Sequence, residues 1–142
     1  MKTLKTITPY LLWFVLTASF VSIFFRLALS YSLEAGNTTI ATIVGILYGV
    51  CMFILGWVLG NKEADYLPIY HSGFRFHLAT YIIHNAVSEL WFAFGFNSTH
   101  ESVTQVHYIA AIWAAILLLH LLLYLKSRKK SINDLDRREL FE

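Results

Sequence analysis

The sequence has little of what cross-links or interrupts a chain: one cysteine, Cys51, and two prolines, Pro9 and Pro68, in 142 residues. A single cysteine excludes an internal disulfide and a thiolate metal cluster. Cys51 lies inside an apolar block and reads as a packing residue. Charged residues are scarce as well, at 14% of the chain. There is no glycine-rich phosphate loop, dinucleotide fingerprint, thiol pair or nucleophile–base–orienter set. The pattern points away from an enzyme and offers no site for nucleic acid.

What the chain has in excess is apolar surface. Hydrophobic residues make up 57% and mean hydropathy is +0.58, too apolar for a soluble domain. They gather in four blocks, at 10–31, 40–60, 76–96 and 106–125. Each holds about 20 residues, enough to cross about 30 Å of hydrocarbon at 1.5 Å per residue. The expected fold is an all-α membrane protein of one domain, residues 1–142. Its four transmembrane helices are placed near 9–31, 39–60, 74–96 and 99–126, with a tail at 127–142.

Basic residues set the expected orientation. Lys2, Lys5, Lys62, Arg75, Lys126, Arg128, Lys129, Lys130, Arg137 and Arg138 all fall on one side if the N-terminus is cytoplasmic. The two opposite loops, 32–39 and 97–105, hold Glu34 and Glu101 but no Lys or Arg. That bias predicts N-in, C-in topology. The stretch 10–30 loosely resembles a cleaved leader, but its length suits a retained span. Two glycosylation-type triplets, at Asn37 and Asn97, sit in loops where such residues also serve as helix caps.

Local signals place the helix ends. Thr8-Pro9 is a start signal, Asn37-Thr38-Thr39 supplies another, and Ser98 to Glu101 fits a capping box opening the fourth helix. The longest connection, 61–75, is tyrosine-rich and mixed in charge, as in a headgroup region. Together with the tail, which has Ile132, Leu135 and Leu140 at loose helical spacing, it is the expected contact for a protein partner. Membrane lipid is the other expected partner.

The third block is interrupted by polar residues. At 100° per residue, His77, Tyr81, His84 and Ser88 fall within about 60° of one another, and Asn85 and Glu89 widen the stripe. Such a face is costly against lipid, so this helix is expected to be central. Arg26 and Glu89 lie at comparable depth and are expected to form a buried ion pair. In the fourth helix Trp113 and His120, seven apart, share a face, and a hairpin brings His120 to the depth of His77. His77, Tyr81, Asn85 and His120 are therefore expected to form a hydrogen-bonded cluster, closed from lipid by Trp113. It serves either as glue or as a polar path for protons or ions. The alternative is a b-type haem held between His77 and His120 in an electron-transfer subunit, against which His84 has no histidine at its own depth. No metal site is expected.

The second block carries Gly45, Gly49, Gly56 and Gly60 on one face, as two G-x-x-x-G pairs. These permit close approach of another backbone, within the chain or in a homo-oligomer, or form the smooth wall of a conduit.

The region from Gly73 to His120 resembles the bacterial 2TM domain. The likeness rests on Gly73-Phe74, on His77, Tyr81 and Asn85 at four-residue steps, on Trp91, and on Trp113 with His120. It departs where the family's glycines near the second-helix tryptophan are replaced by Ala114 and Ala115, and in the two additional helices at the N-terminal side. The resemblance implies a bacterial inner-membrane hairpin, alone or joined to signalling modules, and implies no activity. The resulting expectation is a non-enzymatic, oligomeric membrane module, with an accessory or effector subunit as a further alternative.

Overall fold

The computed structural model describes residues 8–64 and 69–139, with side chains described for 8–63 and 73–126. Four α-helices follow one another: α1 (Pro9–Glu34), α2 (Thr38–Ala64), α3 (Ile69–Ala93) and α4 (Val103–Glu139). No strand occurs among the described residues. Three segments, Pro9–Glu34, Thr38–Glu63 and Val103–Lys126, are long and apolar enough to cross a membrane. α3 is of similar length, 25 residues, but its polar stripe lowers its hydropathy. Large apolar side chains face outward, among them Trp13, Phe20, Phe24, Phe53, Trp57 and Leu119. A surface of that kind is stable against hydrocarbon and not against water.

Each helix end has a local cause. The Thr8 hydroxyl accepts from the Leu11 N–H, and Pro9 takes the first helical position, where its missing N–H costs nothing. Gly36 and Gly95 have φ of 69° and 71°. They follow α1 and α3 in the same way, with Asn37 N–H donating to Ser32 and Phe96 N–H to Trp91. These six-residue closures satisfy the last carbonyls and require the left-handed conformation that glycine adopts without strain. Asn37 then caps α2 through its side-chain oxygen and the Ile40 N–H. The end of the bundle bearing Gly36 and Gly95 is called upper below, and the end where α1 begins is called lower.

α3 is central: it packs against each of the other three helices. α1 also packs on α2, whereas α4 brings its backbone close to α3 alone. The buried face of α1 is a four-residue repeat, Phe14, Ala18, Ser22, Arg26 and Ser30, which keeps one side turned inward along the helix. Its lower half is apolar. Phe14 and Ala18 meet Met52, Phe76 and Ile83, and the Phe14 and Phe76 rings stand edge to face at 4.8 Å. The upper half of the repeat is polar, and the bundle there is built around it.

Several expected boundaries move. α1 and α2 run past 31 and 60, to Glu34 and Ala64, and α3 starts at Ile69. The stretch 61–75 is therefore mostly helix rather than a loop. α4 begins at Val103, not at 99, and continues through the tail to Glu139. The extended ends share one reason: apolar blocks mark the hydrocarbon, whereas backbone hydrogen bonding carries a helix beyond it; α4 starts later because the chain turns from Ser98 to Glu101 first. Cys51 is exposed rather than packed. Lys2, Lys5, Pro68 and the tail side chains, on which part of the charge bias and the partner surface rest, lie outside the described residues.

At the lower end Glu63 is fully buried. Its Oε1 accepts from Arg75 Nη1 at 2.9 Å and from the Thr8 hydroxyl at 2.7 Å, tying the start of α1 to the end of α2 and to α3. Arg75 is partly open to solvent, at 22%, whereas the Glu63 side chain is at 0%. The two halves of the pair are therefore unequal. Arg75→Leu strands a buried carboxylate and should destabilise the fold by about 3–5 kcal/mol. Glu63→Leu leaves an arginine that can turn outward, and should lose clearly less. Unfolding in detergent with matched denaturant slopes compares the two, and equal losses would contradict this account.

Candidate functional site

Polar side chains follow α3 through the bundle at three heights. In the upper part, Arg26 is buried and its Nη2 meets Glu101 Oε2 at 2.5 Å. The other oxygen of Glu101 accepts from the Ser30 hydroxyl at 2.5 Å and from the Ser98 N–H at 3.2 Å. Trp91 Nε1 donates to Ser30 at 2.9 Å, and the Arg26 guanidinium stands 5.3 Å from the centre of the Phe92 ring. Glu34 extends the junction by accepting from the Ser98 hydroxyl at 2.7 Å and the Thr99 N–H at 2.9 Å. The connection between α3 and α4 is thus fastened to α1.

At mid-height His84 Nδ1 lies 3.1 Å from the Tyr48 hydroxyl, which lies 2.9 Å from the Ser22 hydroxyl. Phe25 stacks on Tyr48 with ring centres 4.2 Å apart. Lower down, Trp113 Nε1 donates to His77 Nε2 at 2.9 Å, and His77 Nδ1 lies 2.9 Å from His120 Nδ1. This relay fixes its own protons. Because the indole can only donate, His77 Nε2 is bare and a neutral His77 carries its proton on Nδ1. That proton points at His120 Nδ1, so a neutral His120 carries its own on Nε2.

The structure brings His77, His120 and Trp113 together, with Trp113 as a bonded member of the relay rather than only a cover. Tyr81 touches that group through its ring, edge-on to Trp113 at 5.7 Å. Asn85 does not join it, because its Nδ2 donates to the Tyr81 carbonyl of its own helix. His84 belongs to the Tyr48 group, and its ring lies 5.3 Å from that of Trp113. Ser88 is buried and its hydroxyl has no partner.

The expected Arg26–Glu89 pair does not form. Arg26 takes Glu101, and Glu89 pairs with His107 Nε2 at 2.7 Å on the exposed side, with both side chains more than half open. One residue on a helix is 100°, enough to turn Ser88 inward and Glu89 outward. The expected capping box is also altered. The Ser98 N–H does reach the Glu101 carboxylate, but these residues form a turn before α4 and the same carboxylate neutralises Arg26. The glycine face of α2 makes no close helix contact within the chain. A Cβ at Gly45, Gly49 or Gly60 would meet nothing within 4 Å, and at Gly56 only the Phe14 ring at 3.9 Å. Gly49 and Gly56 instead border cavities.

Sequence reasoning missed Glu101, Tyr48, Ser22 and Ser30. The four-residue repeat of Ser22, Arg26 and Ser30 was a readable signal for a polar inner face on α1. The haem alternative fails on fit, because the His77 and His120 rings bond directly and leave no gap for a macrocycle. Among the described residues no group of three or more His, Cys, Asp or Glu is arranged to hold a metal.

Two cavities lie beside α3, the upper one walled by all four helices and the lower one by α2, α3 and Trp113. The upper one, about 490 Å³, reaches from Arg26 and Glu101 past Ser88 and His84 to Trp113. The lower one, about 450 Å³, runs along Gly56, Thr80 and His77. Tyr48, Gly49 and Trp113 border both.

The ion pair yields a quantitative expectation. Arg26→Leu should destabilise the protein by about 3–5 kcal/mol, because Glu101 is left buried and unpaired, and adding Glu101→Gln should recover a substantial part. Glu89→Gln in place of Glu101→Gln should recover nothing. Chemical unfolding of the single and double variants measures both coupling energies, and coupling to Glu89 would contradict the observed pairing.

No family model matches the chain, and neither does any curated protein or solved structure.

Proposed function

We propose that the chain is a small, non-enzymatic, multi-pass membrane module with four spans and both termini cytoplasmic, and that protonation of its histidine relay controls the seating of α4. The observation carrying this reading is the order of donors in Trp113, His77 and His120. The relay is complete only when both imidazoles are neutral. A proton added to His77 puts an N–H on Nε2, facing the indole N–H. A proton added to His120 faces the proton on His77 Nδ1, and shifting that one to Nε2 recreates the conflict with Trp113. Every charged form therefore has two donors pointed at each other, so acid weakens the attachment of α4 to α3. Imidazole is the side chain whose charge changes between about pH 5 and 8.

Loosening α4 joins the two cavities at Trp113 and produces a polar path along His77, Thr80, His84 and Ser88, in keeping with proton or ion conduction. The exposed glycine face favours a homo-oligomer, since Gly45 and Gly60 have open space where another helix would pack.

Liposomes loaded with a pH-sensitive dye test the reading. Proton flux should be faster at acid pH than at neutral pH. Trp113→Phe should blunt the difference, because it removes the opposing donor and lets a protonated His77 keep its bond to His120. Flux indistinguishable from empty liposomes at both pH values would overturn the conducting role. An unchanged pH response in Trp113→Phe would overturn the latch.

A further inference from the structure

The upper cavity has chemistry that the relay does not use. Two of its buried polar atoms, Arg26 Nε and Ser88 Oγ, have no hydrogen-bond partner, and their residues are 3% and 1% exposed. Orphaned polar groups at that depth cost about 1–3 kcal/mol each, so a cavity containing two is built for something that satisfies them. Other helical hydroxyls bond a side chain, as Ser22 and Ser30 do, or their own helix. Thr17, Ser19, Ser32, Thr42 and Thr80 each donate to the carbonyl four residues earlier. Ser88 leaves that bond unmade, although its own helix offers the same acceptor.

The walls indicate what fits. Phe25, Tyr48, His84 and Trp113 supply ring faces, and Leu29 and Ile109 are among the aliphatic remainder. The volume of about 490 Å³ lies within the range of small-molecule sites. Both orphans offer protons, since Arg Nε is a donor only and a serine hydroxyl can donate. They therefore ask for acceptor oxygens. Arg26 is already neutralised by Glu101, so the site has no net charge to attract an anion. Because α4 brings its backbone close to α3 alone, while the cavity wall draws on all four helices, no second helix packs against α4 to close the space beside it.

We infer that the upper cavity binds a neutral, lipid-soluble molecule whose head carries carbonyl oxygens, with Arg26 Nε and Ser88 Oγ donating to them and the tail leaving beside α4. Two lipid-phase sources share this chemistry: prenylated quinones and acylglycerols. The site is independent of the latch, because neither Arg26 nor Ser88 belongs to the relay.

Native mass spectrometry of the full chain in detergent tests it, with titrations of a short-chain prenylated benzoquinone, dioctanoylglycerol and decanoate. Saturable one-to-one binding of the quinone or the glyceride is expected, and the better ligand identifies the source. Decanoate should bind far more weakly. Ser88→Ala should weaken the preferred ligand on the order of fivefold, the usual effect of one hydrogen bond. It should leave the thermal stability of the free protein unchanged or raised, since the hydroxyl has no protein partner to lose. Ala110→Phe, which fills the cavity wall, should abolish binding. Absence of saturable binding by both neutral ligands would overturn the proposal. So would equal binding of decanoate, or affinities unaltered in both variants. A latch that fails its pH test leaves these outcomes as they are.

Discussion

The placement of α4 depends on the buried ion pair between Arg26 and Glu101. α4 has one helix neighbour, α3, and a hairpin held along one edge is free to swing. Glu101 removes that freedom at the upper end by anchoring the connection before α4 to the inner face of α1. The pair is supported by further donors: Ser30 and the Ser98 N–H on the carboxylate, with Trp91 holding Ser30. That support is what a buried charge pair needs, because Coulomb attraction alone does not offset the loss of water around both ions. The stapling of Ser98 and Thr99 to Glu34 fixes the same connection a second time, nearer the end of α1.

With the upper end fixed, the lower attachment of α4 becomes the variable one. His120 and Trp113 both reach His77, and Phe74 meets His120 edge to face at 5.8 Å and stacks on Tyr124 with ring centres 5.5 Å apart. These contacts are neutral and directional. They differ in kind from the ion pair above, which joins two formal charges. On the proposed reading the lower fastening is the one that answers to protons.

The parts of this arrangement legible in the sequence are those set by period and by local chain chemistry. Thr8-Pro9, Asn37 and the four apolar blocks locate the helices because caps and hydrocarbon thickness act within a few residues. The meeting of His77 and His120 follows from depth in an antiparallel hairpin, which is arithmetic on helical rise. The partner of Arg26 was not legible. Glu89 and Glu101 stand within reach of the right depth, and the choice between them depends on a rotation of 100° and on a turn folding back into the bundle. Neither leaves a trace in hydropathy. The buried pair of Glu63 and Arg75 was hidden for a related reason: both residues lie in a stretch whose mixed charge resembles a loop, yet the helices continue through it.

The glycine face of α2 and the polar face of α3 belong to one design. Close packing of α2 against α4 would bury the glycines and shut the space above α3, leaving Ser88, His84 and His77 sealed among helices. Instead α2 leans on α1 and α3, and its glycines border the cavities. Side chains at those positions would occupy the same space. The absence of Cβ atoms at Gly49 and Gly56 keeps the floor of polar residues reachable from the gap beside α4. Trp113 is the widest group projecting into that gap where the two cavities meet. Moving α4 at its lower end moves Trp113 directly, because the tryptophan that separates the cavities is the same one that bonds His77. Under the proposed latch, attachment and barrier belong to one side chain, so a proton on His77 would act on both at once.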